Sequence, residues 1–334
     1  MPSSKILELV DEDEYNPGVI DGRIKALYVS GGVFMPPPLD YPSVPWSYFP
    51  MALRTLSFSR SQLDIDALDL MNSLIHLREV FIVDSTIIGD TLRVCHDGII
   101  TFHLTNANGL ESLKLELPGA KMIRIRNLPD LKNVNLQSLD CVRCLHISDV
   151  PRLEAQTCTI SRNLSSIVEL KVSSLKVMFL VLPSLGPSLR PTLKRLDVSG
   201  MTDTIELLAG TNKIDGYHRP SWDGRTTDLV RWFREVGDRV IPPSFREKLA
   251  LVRYLNLTNT DVTETDVTET DVTRLALCVF ANAVPNLQEL VMHMNRPFDK
   301  DDMVLQVLGT LCQKLLVIDD MKRIEPWTAA PLHE

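Results

Sequence analysis

The sequence reads IITFHL at residues 99–104, AKMIRI at residues 120–125 and VRCLHI at residues 142–147. Each stretch carries an apolar residue at its first, fourth and sixth positions, and the first positions advance from 99 to 120 to 142, in steps of 21 and 22 residues. Alternation of apolar and polar residues is typical of a short β-strand with one buried side. One such strand cannot bury its apolar side alone, so the spacing predicts stacked copies in a parallel sheet over one continuous core.

The same pattern extends in both directions along the chain. Its first positions lie at residues 24, 53, 77, 99, 120, 142, 167 and 193, and it returns at Val252/Leu255/Leu257, at Leu287/Leu290/Met292 and at Leu315/Ile318. An ordinary α/β domain with unrelated strands is the alternative, and eight copies in one register argue against it. An L-x-x-L-x-L core at this period resembles the leucine-rich repeat family. The resemblance implies an α/β solenoid, a horseshoe with a parallel concave sheet and about 10–12 irregular repeats.

A second apolar series lies halfway between these strands. Its members are Leu110/Leu113/Leu115, Leu131/Val134/Leu136, Leu153 with Cys158, and Leu175/Met178/Leu180. The series predicts short extended segments, instead of long helices, on the convex side of residues 99–180. Between residues 59 and 76 the apolar spacing predicts one or two helical turns instead. The phrases NLPDLKNVNL and DVPRLEAQTC are similar to the irregular repeats of immune receptors.

The chain is expected to have an N-terminal cap, a solenoid and a C-terminal cap or tail. The expected ranges are 1–23 for the cap, 24–320 for the solenoid and 321–334 for the tail, with insertions at 31–52, 203–250 and 260–274. The first insertion holds six prolines, which predict an extended loop that either crosses between repeats or projects toward a partner. The second includes a predicted helix with Leu229, Trp232, Phe233 and Val236 at helical spacing. The third repeats a five-residue motif three times, TDVTE-TDVTE-TDVTR.

Composition and charge limit the class of protein. The net charge of −8 argues against general attraction to nucleic acid or to an anionic membrane. The sequence shows no signal peptide and no apolar run of about 18 residues, which favours a soluble cytoplasmic protein, with the nucleus as the alternative location. Among six cysteines, Cys141 and Cys144 form a C-x-x-C pair. A second pair at ligand spacing is missing, so free thiols are favoured over a zinc or redox site.

The sequence contains no recognisable constellation of catalytic residues. It lacks the G-x-x-x-x-G-K-[ST], G-x-G-x-x-G, G-x-S-x-G and H-E-x-x-H motifs, and its seven histidines are scattered. We therefore expect a protein that is not an enzyme and that needs no cofactor and no metal.

The repeat pattern also predicts which side chains face outward from the concave sheet. Between the buried positions lie basic residues that form an expected strip across four repeats: Arg124, Arg126, His146, Lys171 and Arg195. Tyr28 and Phe81 add exposed aromatic rings, and Trp232 lies on the helix of the second insertion. Arginine and aromatic residues are common anchors of protein interfaces. Glu169 and Asp197 lie beside the strip and could neutralise it, which leaves an ordinary solvated surface as the alternative.

These features favour a non-enzymatic recognition module that binds a protein partner on its concave face. An acidic partner would suit the basic strip, and neither nucleic acid nor membrane is expected to bind. The chain would act as a monomer or as one subunit of a hetero-complex. A structural subunit of a larger assembly is the alternative. The resemblance to F-box/leucine-rich-repeat proteins adds a substrate receptor of a ubiquitin ligase, although only 23 residues precede the first repeat and no F-box is seen.

Overall fold

A computed structural model describes the chain over residues 5–10, 24–31, 33–34, 52–160, 164–185, 192–199, 247–257, 284, 286–292, 316–319 and 322–324. The chain divides into two compact units, residues 1–166 and 167–334. Most of the three expected insertions, including the proline-rich loop of the first and Trp232 of the second, lies outside the described residues. None of the helices in the described ranges is both long and apolar enough to cross a membrane.

Most of the regular elements described in the first unit are strands. In chain order they are β1 (Lys5–Val10), β2 (Ile24–Ser30), β3 (Val33–Phe34), β4 (Thr55–Ser59), β5 (Gln62–Asp64), β6 (Glu79–Val83), β7 (Thr86–Ile88), β8 (Thr91–Cys95), β9 (Thr101–Thr105), β10 (Ser112–Glu116), β11 (Met122–Arg126), β12 (Asn133–Gln137), β13 (Cys144–Ser148) and β14 (Thr159–Ile160). The main sheet has the order β1-β2-β4-β6-β9-β11-β13, and every pairing within it is parallel. All six repeats that the apolar pattern predicts in this unit supply a strand to the main sheet.

Register keeps the apolar positions of successive repeats in line. Phe102 of β9 pairs with Ile123 of β11, which pairs in turn with Leu145 of β13. These three side chains are completely buried. Because strand side chains alternate between the two sides of a sheet, the residues between them face the other way. The predicted solenoid with a parallel sheet over a continuous apolar core is confirmed.

Each main-sheet strand from β4 to β13 is followed directly by a residue with left-handed backbone geometry. These residues form the left-handed corner, and they are Arg60, Asp84, Asn106, Asn127 and Asp149, with φ between 50° and 56°. In Arg60, Asp84, Asn106 and Asn127 the amide N–H donates to the carbonyl of the last residue of the next main-sheet strand, as in Asn106 to Arg126 at 2.9 Å. Asparagine and aspartate tolerate this conformation better than other residues with a Cβ atom. The corner therefore turns the chain and joins each repeat to the next.

Side chains add a second ladder along the corner. The Nδ2 of Asn106 donates to Oδ1 of Asp84 at 2.6 Å, and the Nδ2 of Asn127 donates to Oδ1 of Asn106 at 2.9 Å. Asn106 is thus bonded to both neighbouring repeats through its side chain.

Replacement of Asn106 by alanine should lower the free energy of unfolding by about 1–3 kcal/mol. The change removes two hydrogen bonds and puts a Cβ-bearing residue without a local bonding group into the left-handed region. The measurement is the midpoint of urea denaturation of the full chain. Asn106→Gly keeps the backbone geometry and loses only the side-chain bonds, so it should lose less stability. An alanine variant as stable as the wild type would mean that the side-chain ladder does not stabilise the corner.

The returning side of the first unit also consists of short strands. One parallel sheet has the order β14-β12-β10-β8, and a second has the order β3-β5-β7. In β10 and β12, Leu113, Leu115, Val134 and Leu136 are buried. The expected extended segments are therefore present at these positions. The helical turns expected between residues 59 and 76 are also present, as α1 (Ile65–Leu68) and a 3-10 turn over Asp69–Ser73.

The second unit repeats the parallel arrangement with longer connections. Its elements are β15 (Glu169–Val172), α2 (Leu175–Val181), β16 (Arg195–Asp197), β17 (Tyr254–Asn256), β18 (Glu289–Met292), β19 (Leu316–Asp319) and β20 (Lys322–Ile324). Strands β15 to β19 pair in parallel, in chain order. Strand β20 pairs antiparallel to β19, within the range expected to be the C-terminal cap or tail.

The prediction of an extended segment at Leu175/Met178/Leu180 is wrong, because these residues lie in α2. Val177, Met178 and Val181 are buried in α2, and Leu182 is buried in the 3-10 turn Leu182–Ser184 that follows it. Their spacing of one, three and one residues follows the helical period of 3.6, whereas a strand would bury alternate residues. A residue far along the sequence caps the end of this helical segment. The Nζ of Lys248 donates to the carbonyls of Leu182, Pro183 and Leu185 at 2.8, 3.1 and 2.7 Å.

Candidate protein-binding surface

The outward side of the first unit's main sheet carries one continuous row of side chains. Strand register pairs them in succession, and this central row consists of Tyr28, Ser57, Phe81, His103, Arg124 and His146. Adjacent parallel strands lie about 4.8 Å apart, so neighbours in the row are within side-chain contact distance. The alternation of the repeat thus brings four of the predicted binding residues together, Tyr28, Phe81, Arg124 and His146.

Contacts along the central row link aromatic, sulfur and basic groups. The rings of Phe81 and His103 meet edge to face, with centroids 5.0 Å apart and planes at 88°. His103 Nε2 lies 3.2 Å from the sulfur of Met122. The Nε of Arg124 donates to Nδ1 of His146 at 3.4 Å, so that imidazole nitrogen carries no proton in this arrangement.

His103 and Met122 belong to the surface although the sequence did not single them out as binding residues. Both occupy outward positions of the repeat: His103 pairs with Arg124 in the central row, and Met122 lies two residues before Arg124 on β11. The sequence does indicate that His103 faces outward, because His103 follows the apolar residue Phe102 just as Arg124 follows the apolar residue Ile123.

The imidazole of His103 is held in its neutral form. Partial burial, the nearby positive charge of Arg124 and the imidazole of His146 together lower its pKa to about 4, while Glu79 acts in the opposite direction. The carboxylate of Glu79 is itself engaged, since Oγ1 of Thr55 donates to it at 3.0 Å. At neutral pH the row therefore presents an uncharged imidazole next to a guanidinium.

Acidification should destabilise the protein through His103. An unfolded histidine titrates near 6.5 and the folded one near 4, so between these values the unfolded state binds more protons and stability falls as the pH falls. With solvent screening of a partly exposed ring, the loss should be about 1–2 kcal/mol. The measurement is urea denaturation of the wild type and His103→Gln at pH 7.5 and pH 4.5. The difference in the free energy of unfolding between the wild type and His103→Gln should change by this amount between the two pH values. If this difference stays the same, the low pKa assigned to His103 is contradicted.

The two arginines of β11 have different electrostatic surroundings. Arg126 forms an ion pair with Asp149, with Nε 3.3 Å from the carboxylate. Arg124 is half-buried and makes no ion pair with any residue in the described ranges. Of the two guanidinium groups, only that of Arg124 presents a charge that no described carboxylate offsets.

In the second unit the predicted basic residues are largely occupied by neighbours. Lys171 forms an ion pair with Asp197 at 3.1 Å and donates to Oγ of Ser199 at 2.9 Å. The guanidinium of Arg195 stacks over the ring of Tyr254, 4.0 Å from its centroid. The neutralisation by Asp197 that the sequence left open as an alternative is therefore observed at Lys171.

Exposure distinguishes the predicted binding residues further. Tyr28 is 39% exposed, in line with the expected aromatic contact. His146 faces outward but is only 9% exposed, less than alternation alone predicts, and Ser148 on the same strand is buried with its hydroxyl oxygen unpaired. Arg124, Arg126 and His146 lie in the first unit, whereas Lys171 and Arg195 lie in the second.

Comparison with known proteins gives matches among solved structures. No protein-family model matches the sequence, and no curated protein matches it. The chain is similar to the leucine-rich repeat-containing protein LegL7 from Legionella pneumophila, at 11% identity and a TM-score of 0.32, over 98% of this chain and 95% of that one. It is also similar to TLR13 in its complex with ssRNA13, at 12% identity and a TM-score of 0.32, over 90% and 36% of the two chains. A third match is internalin InlF from Listeria monocytogenes, at 12% identity and a TM-score of 0.26, over 82% and 78%.

The fold itself identifies the architecture. Each repeat places its L-x-x-L-x-L residues on a parallel strand with a buried apolar side, and in the first unit it then turns at a left-handed corner and returns along the opposite side. A period of 20–29 residues with this core is the signature of leucine-rich repeats. The chain has the fold of a leucine-rich repeat solenoid.

Proposed function

We propose that this protein is a non-enzymatic recognition module that binds an acidic protein partner through the central row. The observation that carries the proposal is Arg124, a half-buried guanidinium in the middle of the row with no described carboxylate partner. Repeat proteins of this kind present such extended sheet surfaces to their partners.

The surroundings of Arg124 support a protein partner. Phe81 and Tyr28 lie in the same row and provide aromatic surface, and Met122 lies beside His103. Aromatic residues, methionine and arginine are the residue types enriched at protein interfaces. One guanidinium that no described carboxylate offsets suits one acidic side chain, whereas a nucleic acid needs many cationic contacts and would be repelled by the net charge of −8.

The remaining features of the proposed function follow from the sequence. The chain would act in the cytoplasm, as a scaffold-like monomer or as one subunit of a hetero-complex, with no cofactor. Its N-terminal strand β1 extends the main sheet beyond the first repeat and would serve as a cap within the proposed range 1–23.

Affinity purification of matched variants tests the proposal. The tagged wild type is compared with Arg124→Glu and with Arg126→Glu, which changes an exposed residue of the same strand that already has an ion-pair partner. We expect Arg124→Glu to lose a stoichiometric partner that Arg126→Glu retains at least in part, with both variants folded by circular dichroism.

The second unit supplies another control. Lys171→Glu should have little effect on the partner, because Asp197 already neutralises the lysine. If all variants capture the same partner proteins in the same stoichiometry, binding at the central row is contradicted. The structural-subunit alternative would then take precedence.

A further inference from the structure

The guanidinium of Arg124 has unused hydrogen-bonding capacity in the middle of the central row. Its Nε donates to His146, and its Nη groups make no hydrogen bond to any described residue. An arginine offers five N–H donors in a planar fork that matches both oxygens of a carboxylate. His103, which pairs in register with Arg124 on the adjacent strand, adds a second nitrogen that can donate once it is protonated.

We propose that Arg124 binds a carboxylate of an acidic side chain of the partner, and that His103 takes up a proton when this carboxylate binds. The inference rests on the proposed function and deepens it, because it names the bound group and makes recognition dependent on pH.

The charges around His103 determine the direction of this coupling. From β6 it faces Glu79 and Phe81, and from β11 it faces Met122 and Arg124, with His146 beyond them. The positive charge of Arg124 disfavours a second positive charge on His103 in the free protein. A bound carboxylate offsets that charge and adds a negative charge beside the imidazole, so the pKa of His103 must rise.

The coupling between proton uptake and partner binding determines the pH range in which the affinity changes. Free His103 titrates near 4, and the bound form titrates at a higher pH. Between these two values the complex binds more protons than the free protein, so affinity increases as the pH falls. Acidic side chains of the partner remain mostly ionised down to about pH 4.5, which leaves the window between neutral pH and that value.

A defined peptide tests the inference without knowledge of the partner. The probe is acetyl-hexaglutamate amide, and acetyl-hexaglutamine amide is the uncharged control. NMR follows the imidazole titration of His103 in the full chain, with and without peptide, in the wild type, Arg124→Gln and Arg126→Gln. Fluorescence anisotropy of labelled peptide gives the affinity at pH 7.5 and pH 5.5.

We expect the glutamate peptide to raise the titration midpoint of His103 by about two pH units, from about 4 to about 6. Its affinity should then be about fourfold higher at pH 5.5 than at pH 7.5. Arg124→Gln should abolish both effects and Arg126→Gln should preserve them. His103→Gln should still bind the peptide but lose the pH dependence, which separates proton uptake from simple attraction to the arginine.

Three outcomes would overturn the inference. The first is an unchanged His103 midpoint at saturating glutamate peptide, and the second is a pH dependence that persists in His103→Gln. The third is binding of hexauridylate in preference to the glutamate peptide, which would assign the site to RNA. A failure of the peptide experiment together with loss of a partner protein from Arg124→Glu would overturn the carboxylate assignment and leave the recognition module standing.

Discussion

Phe102→Ala should lower the free energy of unfolding by about 3–5 kcal/mol, the range for removal of a buried aromatic side chain. Phe102 is completely buried in β9, and it pairs in register with Val80 on one side and Ile123 on the other. A cavity at this position removes contacts from two neighbouring repeats as well as its own, and the surrounding backbone is fixed by parallel hydrogen bonds.

Urea denaturation measures this loss, and hydrogen exchange of the β6, β9 and β11 amides shows where it acts. Thr101→Ala is the matched control, because Thr101 precedes Phe102 on the same strand and faces the opposite side. The control should change stability by less than about 1 kcal/mol. Equal losses from both variants would contradict the assignment of inward and outward sides that underlies the core and the central row.

Gly109→Ala is expected to have the second largest effect, a loss of about 2–4 kcal/mol. Gly109 has a φ of 86°, and an added Cβ would meet the carbonyl oxygen of Ile87. That carbonyl cannot easily move away, since the amide of Ile87 donates to Asn108 at 2.9 Å and the amide of Asn108 donates to Ser85 at 3.1 Å. The clash and the backbone strain therefore act together.

Thermal and urea denaturation of Gly109→Ala should be compared with those of Asn108→Ala. Asn108 is adjacent and exposed, and the hydrogen bonds described for it use only its backbone, so its replacement should cost less than about 0.5 kcal/mol. Wild-type stability in Gly109→Ala would mean that the connection between β9 and β10 can shift away from β7.

The core and the register of the sheet could be predicted from the sequence because they follow from one spacing. A period of two on each strand fixes the buried side, and a repeat of nearly constant length aligns Phe102 with Ile123 and Leu145. The left-handed corner was missed, although Asn106 and Asn127 both lie two residues after the last apolar position of their repeats. The apolar pattern contains no information about polar residues at the corner, so it does not predict them.

Which charges pair could not be predicted from the sequence. Alternation placed Lys171 and Asp197 on the same side of adjacent strands, but it did the same for Glu169 and Arg195. The structure shows an ion pair between the first two, whereas Arg195 stacks on Tyr254. Such choices depend on side-chain rotamers and on competing neighbours, and these appear only when the side chains are placed. The helix α2 was missed because a few apolar residues at mixed spacing fit both periods.

The left-handed corner also determines how such a chain can change in length over evolution. Its hydrogen bonds join a repeat only to the next one, and Asp84, Asn106 and Asn127 occupy equivalent positions in successive repeats. Excision of the segment from one corner to the next would leave the new neighbours with matching donors and acceptors. Duplication of that segment would do the same. The protein can therefore gain or lose whole repeats while the hydrogen bonds between neighbouring repeats are kept. An insertion or deletion of one residue inside a strand would instead move the side chains after it on that strand to the opposite side of the sheet.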